Sequence, residues 1–257
     1  MKAVILAGGL GSRLSEETTV KPKPMVEIGG MPILWHIMKI YAAHGVDEFV
    51  VCLGYKGYVI KEWFANYALH TSDVTFDMRR GGGMEVHKST TEPWRVTLVE
   101  TGQQTMTGGR LKRVLPYIGE ETFCLTYGDG VADVDVSALV AHHRKHGRLA
   151  TVTAVQPPGR FGSLEAEGDA VRRFAEKPIG DGAWINGGFF VCEPGVGAAI
   201  GGDDAKWEEE PLRGLAERDE LTVYRHRGYW QAMDTLRDRN ELQSRWDSGQ
   251  AAWRTWG

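Results

Sequence analysis

A chain of 257 residues, 42% of them hydrophobic, can bury a full core as one large α/β domain or two small ones, which excludes intrinsic disorder. With 30 Lys and Arg against 34 Asp and Glu, the net charge is -4. Neither nucleic acid nor a membrane surface is therefore an expected partner, and a polyphosphate would have to meet a local cluster of cations.

The first predicted element is the apolar run at residues 3–7, a buried parallel strand. It empties into Gly8-Gly9-Leu10-Gly11-Ser12-Arg13. Glycines let a backbone approach a ligand closely and aim several N–H groups one way, which suits a phosphate chain. Arg13, Lys21 and Lys23 place three cations within eleven residues of that turn. The spacing then predicts a helix over 32–41, a strand over 49–53 and a helix over 58–70. Two such units point to a parallel, doubly wound sheet. Residues 71–100 break the rhythm, with strands at 74–78 and 96–99 around a glycine-rich connection at 79–93, expected to be a mobile excursion or lid.

The alternation resumes with a helix over 107–117 and a strand over 123–127 that runs into Gly128-Asp129-Gly130. A helix over 136–146 and a strand over 149–155 follow. Short strands at 161–164, 171–174 and 187–192 suggest an antiparallel-rich second part. Helices over 207–218 and 235–247 and a strand over 221–226 close the chain. No repeat or linker divides it, so residues 1–257 read as one domain. Cys52, Cys124 and Cys192 are widely spaced in predicted apolar strands, which reads as buried free thiols in a reducing, cytoplasmic compartment. No apolar run approaches the ~18 residues of a membrane span.

The glycine-rich turn fits neither common phosphate loop. A P-loop needs a Gly-Lys pair, and the chain has none; a dinucleotide fingerprint needs a third glycine where Leu14 stands. The segment GGLGSRL at 8–14, with Pro22-Lys23-Pro24 ten residues past Arg13, resembles the signature of sugar-1-phosphate nucleotidyltransferases. The resemblance continues through Asp129, through Glu176-Lys177-Pro178, through Asn186-Gly187-Gly188, and through Trp230 and Asp234-Thr235. Finer stretches, including residues 20–30, 105–113, 157–162 and 229–238, are similar to the glucose-1-phosphate cytidylyltransferases within that family.

The resemblance implies a Rossmann-like α/β fold, an open, mixed and mostly parallel sheet with helices on both faces, plus an antiparallel-rich sugar-binding part. Residues 1–150 would mainly bind the nucleotide and 151–257 the sugar phosphate. It implies Mg²⁺ on Asp129 and Asp234, with Arg13 and Lys23 as catalytic cations. Leu6, Ala7, Gly8, Gly9, Leu10, Gly11, Ser12, Gln104, Gly108, Gly109 and Gly128 would join these two cations around the nucleotide. Glu176, Lys177, Asn186, Gly188 and Trp230 would hold the sugar phosphate. The implied reactants are CTP and glucose 1-phosphate. The same chemistry with UTP, dTTP or GTP, or a non-catalytic nucleotide sensor, stands as the alternative.

Several of these residues also have structural readings. Asp129 could cap a turn, and Asp234 could cap the last helix while also binding metal. His142, His143 and His146 share a helix, but no nearby carboxylate or thiol completes a zinc site, so a surface helix is expected. Glu208-Glu209-Glu210 would favour the positive end of the helix it opens. Trp246, Trp253 and Trp256 could dock on the core or form a subunit interface; the preferred reading is an interface in a homo-oligomer.

Overall fold

The computed structural model of the chain describes residues 1–11, 14–157, 163–175 and 184–256. Strand β1 (Lys2–Leu6) is buried on both faces, and its side chains divide between two cores. Ala3 and Ile5 point to one, Val4 and Leu6 to the other, as the period-two geometry of a strand requires. A four-residue helix α1 (Ser15–Thr18) follows, then a hairpin of β2 (Glu27–Ile28) and β3 (Met31–Pro32). Gly29 and Gly30 turn that hairpin at φ 60 and 79, and a Cβ at Gly29 would come within 2.0 Å of the Trp246 indole.

Helix α2 (Ile33–Ala42), β4 (Glu48–Leu53) and α3 (Gly57–His70) confirm the expected alternation. Next come β5 (Ser72–Asp77), β6 (Gly83–Ser89) and β7 (Arg95–Glu100). The glycine-rich connection at 79–93 is therefore not loop throughout, since β6 pairs antiparallel with β5 around Gly81 and Gly82. Every residue of β6 is exposed, so no buried alternation marked it as a strand.

Helix α4 (Thr107–Ile118), β8 (Phe123–Tyr127), β9 (Gly130–Ala132), α5 (Val136–His146) and β10 (Ala150–Val155) continue the chain. The hairpin of β11 (Ser163–Glu167) and β12 (Ala170–Ala175) precedes β13 (Ile185–Cys192). Helix α6 (Glu210–Glu217), β14 (Leu221–Arg225), β15 (Trp230–Ala232) and α7 (Leu236–Asp247) complete it.

Seven strands form the central sheet in the order β14-β10-β13-β8-β1-β4-β7. Only β13 runs antiparallel to its neighbours; the other pairings are parallel. The chain builds outward from β1 through β4 to β7, then returns to β1's other side with β8. That reversal makes the C-terminal ends of β1 and β8 a topological switch point, where open α/β sheets bind their ligands. Helices α2 and α5 cover one face and α4 and α6 the other, so both faces are shielded from water.

Two expectations about side chains are corrected. Trp253 is 1% exposed and docks inside the chain's own core, stacked on Tyr229 and donating its indole N–H to His36. It is not an interface residue. His143 is likewise not on the surface: it is 1% exposed, with its ring nitrogens against Thr151 Oγ1 at 2.8 Å and Glu193 Oε1 at 3.1 Å. All three cysteines are free and buried. Among the described residues no helix is long and apolar enough to cross a membrane.

Candidate active site

At the switch point lies a cleft of about 490 Å³, lined from both halves of the chain. Leu6, Ala7, Gly8, Gly9 and Gly11 from the turn after β1 line it, with Lys23, Gly128 and Asp129. Asn186, Gly188, Trp230 and Asp234 complete the lining. Ser12, Arg13, Glu176 and Lys177 lie outside the described residues. Leu10 and Gln104 are exposed and do not line the cleft. Gly108 and Gly109 sit behind it, packed so closely on residues 203–207 that a Cβ would come within 2.7 Å of the Ala205 carbonyl and 2.6 Å of Asp203 Cα.

Lys23 is placed by a short 3-10 turn, Lys23–Met25, whose entry is set by Pro22 and Pro24. Its ammonium bridges two carboxylates, Asp129 Oδ2 at 2.6 Å and Asp234 Oδ1 at 2.8 Å. These aspartates are 105 residues apart, and backbone pairing explains why they meet. β9 pairs antiparallel with β15, and the Met233 N–H donates to the Asp129 carbonyl at 2.8 Å. Burial alone would lower the Lys23 pKa, but the Asp129 charge and hydrogen bond, then those of Asp234, hold it above the ordinary value. Asp234 does not cap the last helix. Thr235 does, in a capping box with Asp238 that leaves the Asp234 carboxylate turned to Lys23.

Two carboxylates that converge on one cation form a donor set of hard oxygens, suited to one divalent metal completed by phosphates and water. Among the described residues no group of three or more His, Cys, Asp or Glu is placed to hold a metal ion by itself.

Facing these groups, Asn186 Oδ1 accepts the Gly188 N–H at 2.8 Å and the Trp230 indole donates to the Gly187 carbonyl at 2.7 Å. Gly188 has φ 80, and a Cβ there would come within 2.5 Å of the Tyr127 ring. The positive φ and the missing side chain are both required.

Arg110 is the residue sequence reasoning missed. It is 4% exposed beneath the turn, and a Cβ at Gly8 would come within 2.2 Å of its Nη1. Its guanidinium donates to the carbonyls of Leu53, Gly102, Gly8 and Gln103 and to Thr101 Oγ1. One side chain thus ties the ends of β1, β4 and β7 together under the phosphate turn. Burial, first of all, lowers its pKa, yet a guanidinium remains charged at neutral pH. No sequence signal separates it from an exposed arginine in the first turn of a helix.

A glycine turn, a lysine and paired carboxylates at the switch point of a mostly parallel sheet define a phosphate-handling nucleotide enzyme. The chain belongs to the nucleotidyl transferase family, whose family model matches residues 2–231. Over all 257 residues it is 62% identical to the glucose-1-phosphate cytidylyltransferase of Salmonella typhi, covering 100% of each chain. It is 46% identical, again covering 100% of each, to the probable glucose-1-phosphate cytidylyltransferase of Bacillus subtilis (strain 168). Solved structures share the fold. HddC from Yersinia pseudotuberculosis matches with a TM-score of 0.69 at 22% identity, covering 95% of this chain and 99% of that one. A UDP-glucose pyrophosphorylase complexed with UDP-glucose matches with a TM-score of 0.69 at 16% identity, covering 96% and 98%.

Proposed function

We propose that the chain transfers a cytidylyl group from CTP to α-D-glucose 1-phosphate, giving CDP-glucose and pyrophosphate. The observation that carries this reading is full-length identity of 62% to a protein of that activity, with Lys23, Asp129 and Asp234 gathered at one point of the cleft.

A phosphate oxygen of the sugar phosphate forms the new P–O bond to the α-phosphorus. The bond to the β-phosphate bridging oxygen breaks, and pyrophosphate leaves with that electron pair. The nucleophile is already ionised at neutral pH, so no general base is needed and repulsion between anions dominates the barrier. Lys23 offers a positive charge at the floor of the cleft, where charge on the α-phosphate grows. The turn at residues 8–11 supplies backbone close to the phosphates, and Arg110 holds that turn from behind. Arg13 would neutralise the leaving phosphates and Lys177 the sugar phosphate, following the family pattern of the sequence.

Asp129 and Asp234 would hold Mg²⁺. When bound, it would withdraw charge from the α-phosphate and raise its electrophilicity. Since Lys23 bridges the same two carboxylates, the lysine must release at least part of that contact to serve phosphate. The buried thiols fit a cytoplasmic enzyme. A homo-oligomer is supported by the apolar side of the β5–β6 hairpin, where Phe76, Met78, Met84 and Val86 are exposed.

Pyrophosphate release with glucose 1-phosphate and each of CTP, UTP, dTTP and GTP tests the assignment. CTP is expected to give the highest kcat/KM. A better rate with any other triphosphate would overturn the choice of base.

A further inference from the structure

The helix that follows the phosphate turn is held by donors from another part of the chain. Helix α1 has four residues, too few to persist on its own hydrogen bonds, and a helix leaves its last carbonyls without partners of its own. Two consecutive residues of the β4–α3 connection serve the carbonyls there. The Tyr55 hydroxyl donates to the Thr18 carbonyl at 3.1 Å, and the Lys56 ammonium donates to the Thr19 carbonyl. Together they cap α1 from 37 residues away, with a cation at the negative end of its dipole.

The same connection grips the start of the turn. The Tyr55 N–H donates to the Gly8 carbonyl at 3.1 Å, and a Cβ at Gly54 would come within 2.6 Å of that oxygen. Within the segment, Thr18 is 4% exposed, and its hydroxyl donates between the carbonyls of Gly11 at 3.1 Å and Leu14 at 3.0 Å. Gly8, Gly9 and Gly11 line the cleft, whereas Thr18, Tyr55 and Lys56 do not. Tyr55 is thus bonded to both ends of the segment 8–18 without lining the ligand space.

Lys56 adopts φ 50 and ψ 33, the left-handed region that glycine enters without steric cost. Among the described residues the only other non-glycine with a positive φ is Asp219. A lysine held there is strained by its own Cβ, and its side chain is in use. The ammonium reaches Thr19 and lies 5.4 Å from the centroid of the Tyr55 ring.

We propose that Tyr55 and Lys56 are positioning residues for the triphosphate: by capping α1 from outside they hold the glycine turn in the shape that receives the phosphates. Without the caps the end of α1 frays to water, and Thr18 no longer fixes the Gly11 carbonyl. The loss falls on the nucleotide, because the segment they hold contains the glycine turn and no residue read as a sugar contact. This inference rests on the reading of the turn as the triphosphate site.

Steady-state kinetics with both substrates varied, on Tyr55→Phe, Lys56→Gly, Lys56→Arg and Gly9→Val, test it, with urea midpoints measured alongside. Tyr55→Phe removes one hydroxyl and is expected to raise KM for CTP about fivefold, with KM for glucose 1-phosphate changed by no more than about twofold. Lys56→Gly is expected to raise KM for CTP about as far. Its urea midpoint should stay near the parental value, because relief of the backbone strain offsets the lost bond. Lys56→Arg keeps a long cationic donor and is expected to recover most of the loss. Gly9→Val tests the turn itself, since a Cβ at Gly9 meets no atom within 4 Å and the added side chain enters the cleft. If Gly9→Val raises KM for CTP but either Tyr55→Phe or Lys56→Gly does not, the positioning role is overturned. It is equally overturned if those two substitutions raise both KM values together. If Gly9→Val leaves KM for CTP unchanged, the triphosphate reading itself fails and the positioning role falls with it.

Discussion

Arg110 shows what one residue does under a phosphate turn. Its guanidinium serves four backbone carbonyls and a threonine hydroxyl at once, three of these bonds fully buried. Arg110→Ala leaves the Gly102 and Gln103 carbonyls without this donor and opens a cavity behind Gly8. A loss of about 3 kcal/mol is expected in urea denaturation, with a raised KM for CTP, because the turn loses its support. A variant as stable as the parent would remove the clamp from the account. Arg110→Lys is not expected to restore it, since one ammonium cannot span acceptors that the two guanidinium Nη atoms reach together.

Among the elements, α2 carries a buried histidine whose charge state is tied to the fold. His36 is fully buried, with Nε2 against the Ile28 carbonyl at 2.8 Å and Nδ1 receiving the Trp253 indole N–H. That pattern needs the neutral ring. Burial lowers the imidazole to about 4, against the opposing hydrogen bonds of Ile28 and Met31. Below the unfolded value of 6.5, the unfolded chain binds a proton that the folded chain refuses. Stability from this site is therefore complete above pH 6.5 and is lost as pH falls from 6.5 toward 4, by up to about 3 kcal/mol. Urea midpoints measured from pH 7.5 to 4.5 should fall with pH, and less steeply in His36→Gln. Equal slopes in the two proteins would exclude His36 as the source. The same contact explains the C-terminal tryptophans. Their spacing does not announce a partner, because the partner is a helix more than 200 residues earlier.

At the scale of the whole molecule, the alternation of strands and helices was legible because each buried strand is a continuous apolar run between glycine-marked turns. β8 was read at its observed bounds for that reason, and α5 at its own because apolar residues recur at helical spacing before Gly147. β6 and β9 were not, since the first is wholly exposed and the second has three residues. Asp129 and Asp234 were readable as a pair only through the family motif. What joins them is the β9–β15 pairing and the Met233–Asp129 hydrogen bond, and neither leaves a local signal. Conversely, Gly108 and Gly109 carry a motif-like pattern whose visible cause is close packing on residues 203–207.

The central claim is that Lys23, Asp129 and Asp234 form one catalytic cluster that transfers a cytidylyl group. Asp129→Asn and Asp234→Asn keep the shape of each side chain and remove its charge. Pyrophosphate release from CTP and glucose 1-phosphate, measured with Mg²⁺ present and circular dichroism matched to the parent, tests the claim most directly. Each variant should lose activity by about a thousandfold or more while remaining folded. Near-parental turnover in either one would contradict the account.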